Sequence, residues 1–252
     1  MDGVQHDGFY SRLSGNSPVM AMAIHAGSRI REELQPYLLA DDCLRRSEED
    51  YGTSALIENC PDIVIADDSR AEYDVNRDRE VALPLTAERF WGIRIYRRMP
   101  LDEINRRTLA KYDNFRCFIR DYTRAMADKF GCCYVFDIHS FNLTRQKEKG
   151  LNPVPLFCIG TRNVPARFRS KADELIRQIR AIQIPGLVNH TRENVPFAGG
   201  MFGKYLTESD SRICVFGIEV GKYYMDEKTQ LIDFGILQSI GRALGKIIRE
   251  WK

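Results

Sequence analysis

Apolar residues fall along this chain in short uninterrupted runs, separated by longer stretches where they recur every three or four positions. Val19 to Ile24 contains no polar residue, the pattern of a strand buried on both faces. Similar runs follow at Ile63 to Ala66, Cys132 to Ile138, Val154 to Ile159 and, late in the chain, from Arg212 to Val220. Arg70 to Val75 also reads as extended. Between the runs, Leu101 to Phe130 places Leu101, Ile104, Tyr112, Phe115, Ile119, Tyr122 and Met126 on one helical face, and Gly131 ends it as a C-cap. The basic residues Arg106, Arg107, Arg120, Arg124 and Lys129 then form a solvated outer face. Further helices are expected over Arg31–Leu39, which Pro36 kinks or ends, and over Ser54–Cys60, Pro165–Ala181 and Leu231–Trp251.

Strands alternating with helices, without a repeat, predict an α/β fold with one mixed, mostly parallel sheet between helices in a three-layer sandwich. Residues 1–16 are polar and contain Gly and Ser, so they are expected as a loose N-terminal segment, with residues 17–252 forming a single catalytic domain. The length of 252 residues supports one sizeable core. Lys plus Arg total 37 against 35 Asp plus Glu, a net charge of +2, so no basic field marks a nucleic-acid partner. No stretch is long and apolar enough for a membrane span, and no signal-peptide run is present. The seven cysteines include no motif of paired spacings, which fits reduced thiols in a cytoplasmic protein. The sequence does not set the oligomeric state.

Candidate chemistry changes the picture at a few positions. Two of the four histidines, His25 and His139, fall at the ends of apolar strands. A histidine there is commonly a satisfied structural residue, but neighbouring parallel strands bring both rings to one sheet edge, where α/β proteins place their sites. Two imidazoles and one oxygen donor suit a catalytic zinc, which keeps a further position open. Glu48-Glu49-Asp50 is the acidic cluster available; it also reads as a helix N-terminus capped by Ser47. Arg70 and Arg77, with Asn76, suit planar recognition of a substrate carboxylate, although a surface ion-pair network with Asp74, Asp78 and Glu80 explains them equally. Glu219 follows the apolar Val215-Phe216-Gly217-Ile218, and an unpaired carboxylate there is costly unless it has a function. His190 is either a substrate contact or an exposed loop residue, His6 is expected in solvent, and Tyr223 and Tyr224 either pack or offer a hydroxyl.

These blocks occur in a particular order: His25-Ala26-Gly27, Glu49-Asp50, Arg70 with Asp74-Val75-Asn76-Arg77, Asp137-Ile138-His139-Ser140, Asn194 to Gly200, and Gly217-Ile218-Glu219. In that order the chain resembles the N-formylglutamate amidohydrolase family over roughly residues 18 to 225. The resemblance implies a fold similar to zinc carboxypeptidases and aspartoacylases, and one Zn2+ per chain held by His25, His139 and a carboxylate. Asp50 matches the family carboxylate, standing six positions before Leu56, with Glu49 the less favoured ligand. Glu219 matches the general base, Arg77 with Asn76 the substrate-carboxylate position, and Arg70 a secondary one. Asn194 belongs to a loop at the mouth of the site. The implied reaction is hydrolysis of the amide bond of a small acidic N-acyl amino acid such as N-formylglutamate, a step of histidine degradation. A carboxypeptidase-like or isopeptide hydrolase, or a non-catalytic binder of a small carboxylate, would use the same site. The chain departs from the family pattern at Ser54, at Gly217-Ile218 and before His25, which bears on the substrate more than on the metal ligands or base.

Overall fold

The computed structural model describes residues 2–252. Its centre is an eight-stranded sheet in the order β1-β2-β4-β3-β5-β8-β6-β7. The strands are β1 (Val4–Gln5), β2 (Phe9–Arg12), β3 (Val19–Ala23), β4 (Ile63–Ala66), β5 (Cys133–Phe141), β6 (Phe157–Gly160), β7 (Thr191–Glu193) and β8 (Ile213–Gly221). The central neighbours β4, β3, β5 and β8 run parallel, as do β6 and β7. The β1–β2, β2–β4 and β6–β8 pairs are antiparallel. The sheet is therefore mixed and mostly parallel, as the alternation of strands and helices predicts.

Period-two alternation sorts the strand side chains between two cores. Val19, Ala21 and Ala23 of β3 join Tyr134, Phe136 and Ile138 of β5 on one face. That face is covered by α2 (Thr53–Ile57), α5 (Arg169–Arg180) and α7 (Phe234–Arg249). Met20, Met22 and Ile24 join Cys133 and Val135 on the other face, beneath α3 (Asp102–Phe130) and α6 (Met201–Ser209). The helix expected from Leu101 to Phe130 thus forms, and Gly131 closes it with a φ of 81°. Arg106, Arg107, Arg124 and Lys129 face outward, and Arg106 and Arg107 pair with Glu103 in solvent, whereas Lys111 and Arg116 of the same helix are buried.

Several elements differ from the sequence pattern. Residues 1–16, expected to be loose, contain β1 and β2, which extend the sheet beyond β4. Phe9 is buried and stacks on His6 at a centroid distance of 4.3 Å, so His6 is part of the packing rather than free in solvent. Glu32–Tyr37 is a 3-10 helix, with Pro36 inside it. The stretch from Arg70 to Val75 forms turns instead of a strand. Two short helices, α1 (Asp42–Ser47) and α4 (Leu143–Glu148), complete the set. Ser47, expected to cap a helix start, is the last residue of α1; the left-handed Gly52 precedes α2. The acidic cluster consequently lies in the connection between two helices. No helix among the described residues is long and apolar enough to cross a membrane.

Candidate active site

The sheet delivers three carboxylate or imidazole side chains to one place. On β5, Asp137 and His139 are two residues apart and so share the face beneath α3 and α6. On β8, Glu219 lies directly opposite His139 in the parallel ladder. The β5 strand continues two residues past His139, which places that histidine within the ladder and not beyond its end. His25 follows β3, and the Asp50 backbone N–H donates to the His25 carbonyl at 3.1 Å, tying the α1–α2 connection to that strand.

His25, Asp50 and His139 are all buried, and each offers a ligand atom within 4.8 Å of the others. The two Nδ1 atoms are 3.2 Å apart, and Asp50 Oδ2 lies 3.0 Å from that of His139 and 3.5 Å from that of His25. The outer ring nitrogens have their own partners. His25 Nε2 donates to Asp74 Oδ1 at 2.8 Å, and His139 Nε2 lies 3.0 Å from Asp137 Oδ2. A carboxylate behind each ring fixes its orientation and leaves the inner nitrogen as the donor, the arrangement that commonly supports metal-binding histidines. Burial would raise the pKa of Asp50, but hydrogen bonds from His139 and His25 outweigh it and hold the group far below the usual carboxylate range. Burial likewise disfavours ionised Asp74, yet the charges of Arg70 and His25 keep it well below its ordinary value. For His139, burial favours the neutral ring, while Asp137 and Asp50 raise the pKa well above the usual histidine value. Three electron-pair donors thus converge on a space that requires positive charge, either a proton or a cation. Two nitrogens and one oxygen suit a divalent ion such as Zn2+.

Glu219 differs in kind. It opens onto the pocket, but burial pushes its pKa up to about 8, with Asp50 and Asp137 acting in the same direction and His139 and Arg70 opposing. A carboxyl tuned near neutrality can both take and return a proton at working pH. The pocket has a volume of about 210 Å³, and its wall includes His25, Asp50, His139, Glu219, Arg70 and Asn76.

The expected substrate-binding residues divide. Arg70 reaches the pocket while its Nη2 donates to Asp74 Oδ2 at 2.7 Å. Asn76 also lines it, with Oδ1 accepting from the Phe202 N–H at 2.9 Å. Arg77 stands behind them, its Nε 3.3 Å from Asp74 Oδ2, and is not part of the wall. Asp74 is buried, so the surface ion-pair reading does not describe it. Asn194 has a φ of 57° and binds the Thr161 backbone N–H and hydroxyl, fastening its loop to the end of β6 instead of entering the pocket. Phe197 of the same loop does line the pocket. Glu49 turns away from the histidines into an ion pair with Arg45 and a hydrogen bond from Ser69. His190 is exposed. The Tyr223 and Tyr224 hydroxyls donate to the carbonyls of Val154 and Tyr51, each at 2.7 Å.

Other residues reach the site without an obvious sequence signal. Lys222 is buried and donates from Nζ to the carbonyls of Ser47 at 3.1 Å and Glu49 at 2.8 Å, and to Asn142 Oδ1 at 2.8 Å. It therefore braces the connection that carries Asp50 against the end of β5. Trp91 and Arg145 also line the pocket, arriving from loops and a short helix whose approach no periodicity predicts. Asp137 did carry a signal: it precedes His139 by two residues on a strand.

A mixed α/β sheet that gathers two imidazoles, a carboxylate and a glutamate of raised pKa in one pocket has a donor set of the kind suited to hydrolytic chemistry. The family model described as N-formylglutamate amidohydrolase matches residues 17–225, and the chain belongs to that family. Among solved structures, the N-formylglutamate amidohydrolase from Ralstonia eutropha JMP134 is similar with a TM-score of 0.79 and 17% identity, covering 96% of each chain. A gene product of Agrobacterium tumefaciens is similar with a TM-score of 0.64 and 21% identity, covering 95% of this chain and 94% of its own. At these identities the likeness concerns the fold. No curated protein sequence matches the chain.

Proposed function

We propose that the protein is a zinc-dependent amidohydrolase that cleaves the amide C–N bond of a small acidic N-acyl amino acid, with N-formylglutamate as the leading substrate. The observation that carries this reading is the convergence of His25 Nδ1, Asp50 Oδ2 and His139 Nδ1 beside Glu219 in one pocket. Zn2+ held by those three residues would polarise the scissile carbonyl and acidify a water molecule. Asp74 and Asp137 keep the two imidazoles turned inward. Glu219 takes the proton of the attacking water and returns it to the departing nitrogen, so that hydrolysis yields a carboxylic acid and an amino acid. Arg70 and Asn76 hold the substrate carboxylate, and Asp74 orients Arg70. Arg77 supports this clamp from behind through the same carboxylate.

A pocket of about 210 Å³ favours a small amide over the end of a peptide chain. The test combines metal analysis with turnover. Protein purified without added metal is expected to carry about one zinc per chain and to release formate and glutamate from N-formyl-L-glutamate. Glu219→Gln should reduce kcat by roughly 10²–10⁴-fold while retaining the metal. His139→Ala with metal content and turnover unchanged would overturn the assignment.

A further inference from the structure

Trp91 is out of place by ordinary packing rules. It is 40% exposed, although large and apolar, and its backbone is left-handed at φ 49° and ψ 33°. A bulky residue in that region is conformationally costly and persists there only where the surrounding structure imposes it. The consequence is visible in its neighbour. Phe90, at the end of a 3-10 helix over Ala87–Phe90, is buried in a small cluster with Leu34, Ile95 and Tyr96. The left-handed turn sends the next side chain the other way, to the mouth of the pocket.

There the indole meets three guanidinium groups. Arg70 lies 4.4 Å from the ring centroid, Arg77 5.4 Å and Arg145 6.0 Å. Arg70 and Arg77 belong to the turns after β4, whereas Arg145 comes from α4, after β5. Each also faces a carboxylate: Asp74 for the first two, and Glu48 for Arg145, whose Nη1 donates at 2.6 Å. Lys149, exposed on the same wall, makes no ion pair among the described residues. Asp50 also lies 3.8 Å from Arg70, so three carboxylates face the four cations Arg70, Arg77, Arg145 and Lys149 and leave this mouth with one positive charge in excess. Guanidinium ions gathered so closely repel one another, and the electron-rich face of an indole offsets that repulsion while holding the planar groups in fixed orientations.

We propose that Trp91 is a specificity-determining residue, an aromatic platform that aligns Arg70 and Arg145 in the pocket wall, with Arg77 braced behind them, so that the wall selects small dicarboxylates over monocarboxylates. The inference rests on the reading of Arg70 and Asn76 as a carboxylate clamp, but its test needs no turnover. Binding of glutarate and of butyrate to the zinc-loaded protein is measured by calorimetry. Both probes carry one carboxylate able to bind near the metal, so their affinity ratio reports the second carboxylate. Wild type is expected to bind glutarate at least about tenfold more tightly, with a change in tryptophan fluorescence. Trp251, the other tryptophan, is buried among Tyr134, Phe136 and Phe216 and serves as a constant background. Trp91→Leu should weaken glutarate by about tenfold with butyrate nearly unchanged, and Trp91→Phe should keep most of the ratio. A wild-type ratio near one overturns the proposal, as does a ratio that survives Trp91→Leu or is lost equally in the Leu and Phe variants. Selective glutarate binding without turnover of N-formylglutamate would instead count against the hydrolase reading alone.

Discussion

The Glu219 carboxyl, with a pKa near 8 instead of the ordinary 4.5, links the site to the stability of the chain. Its folded form holds the proton more tightly than its unfolded form. The associated stabilisation is fully present below about pH 4.5 and is lost as pH rises through about 8. In chelator-treated protein, thermal stability should therefore decline between pH 5 and 8 more steeply than in Glu219→Gln, whose side chain stays neutral. By pH 8 the variant should be the more stable by on the order of a few kcal/mol. Paired melting curves across that range measure the difference, and parallel curves would refute the shift. Glu219 could be picked out beforehand because a lone acid after four residues without charge is conspicuous. Asp74 could not: its meaning depends on burial, and in sequence it stands among Arg70, Arg77, Asp78 and Glu80 like any surface ion pair. Asp50 and Glu49 are adjacent, and only the course of the backbone between α1 and α2 decides which one faces the histidines.

The segment from Asn194 to Gly200 shows how a whole element supports the pocket from outside it. Asn194 anchors its start to Thr161, and Phe197 reaches the pocket. Gly200 packs so closely on Asn76 that an added Cβ would stand 2.5 Å from Nδ2. Asn76 in turn accepts from the Phe202 N–H in the first turn of α6. Gly200→Ala must push that amide aside. Because the displaced group is the tip of a side chain, the loss of stability should stay near ~1 kcal/mol, the scale of one hydrogen bond. The substrate clamp should suffer more, with KM for N-formyl-L-glutamate rising several-fold and kcat changing less. Steady-state kinetics beside a melting curve would check this; an unchanged KM would remove Asn76 from the clamp. Element length explains what the residue pattern foretold. The 29-residue α3 repeats its apolar face often enough to be unmistakable. Six residues of α1 or α4 complete fewer than two turns. The two-residue edge strand β1 has no buried position and its four-residue neighbour β2 buries only Phe9 and Ser11, so neither shows an apolar run, and His6 packs where a solvated residue was expected.

At the scale of the molecule, the three proposed ligands join separate parts of the fold: the end of β3, the connection between α1 and α2, and β5. The two strands are hydrogen-bonded neighbours at the middle of the sheet, while the connection is held by the Asp50–His25 backbone contact and by Lys222. An ion bound by all three would bind the folded chain and not the unfolded one, so its affinity adds directly to stability. At a free zinc concentration 100 times Kd the gain is about 2.7 kcal/mol. For a domain of this size each kcal/mol moves Tm by about 2–4 °C. Removal of metal by a chelator is thus expected to lower Tm by roughly 5–10 °C, and added Zn2+ should restore it. His139→Ala, already deprived of one donor, should show little response to either treatment, although its side chain lies in the same strand ladder. Scanning calorimetry of both proteins with and without chelator makes the comparison. Equal shifts in the two would place the responsible ion elsewhere, whereas a response confined to the intact donor set would tie the stability of the central sheet to the residues proposed for catalysis.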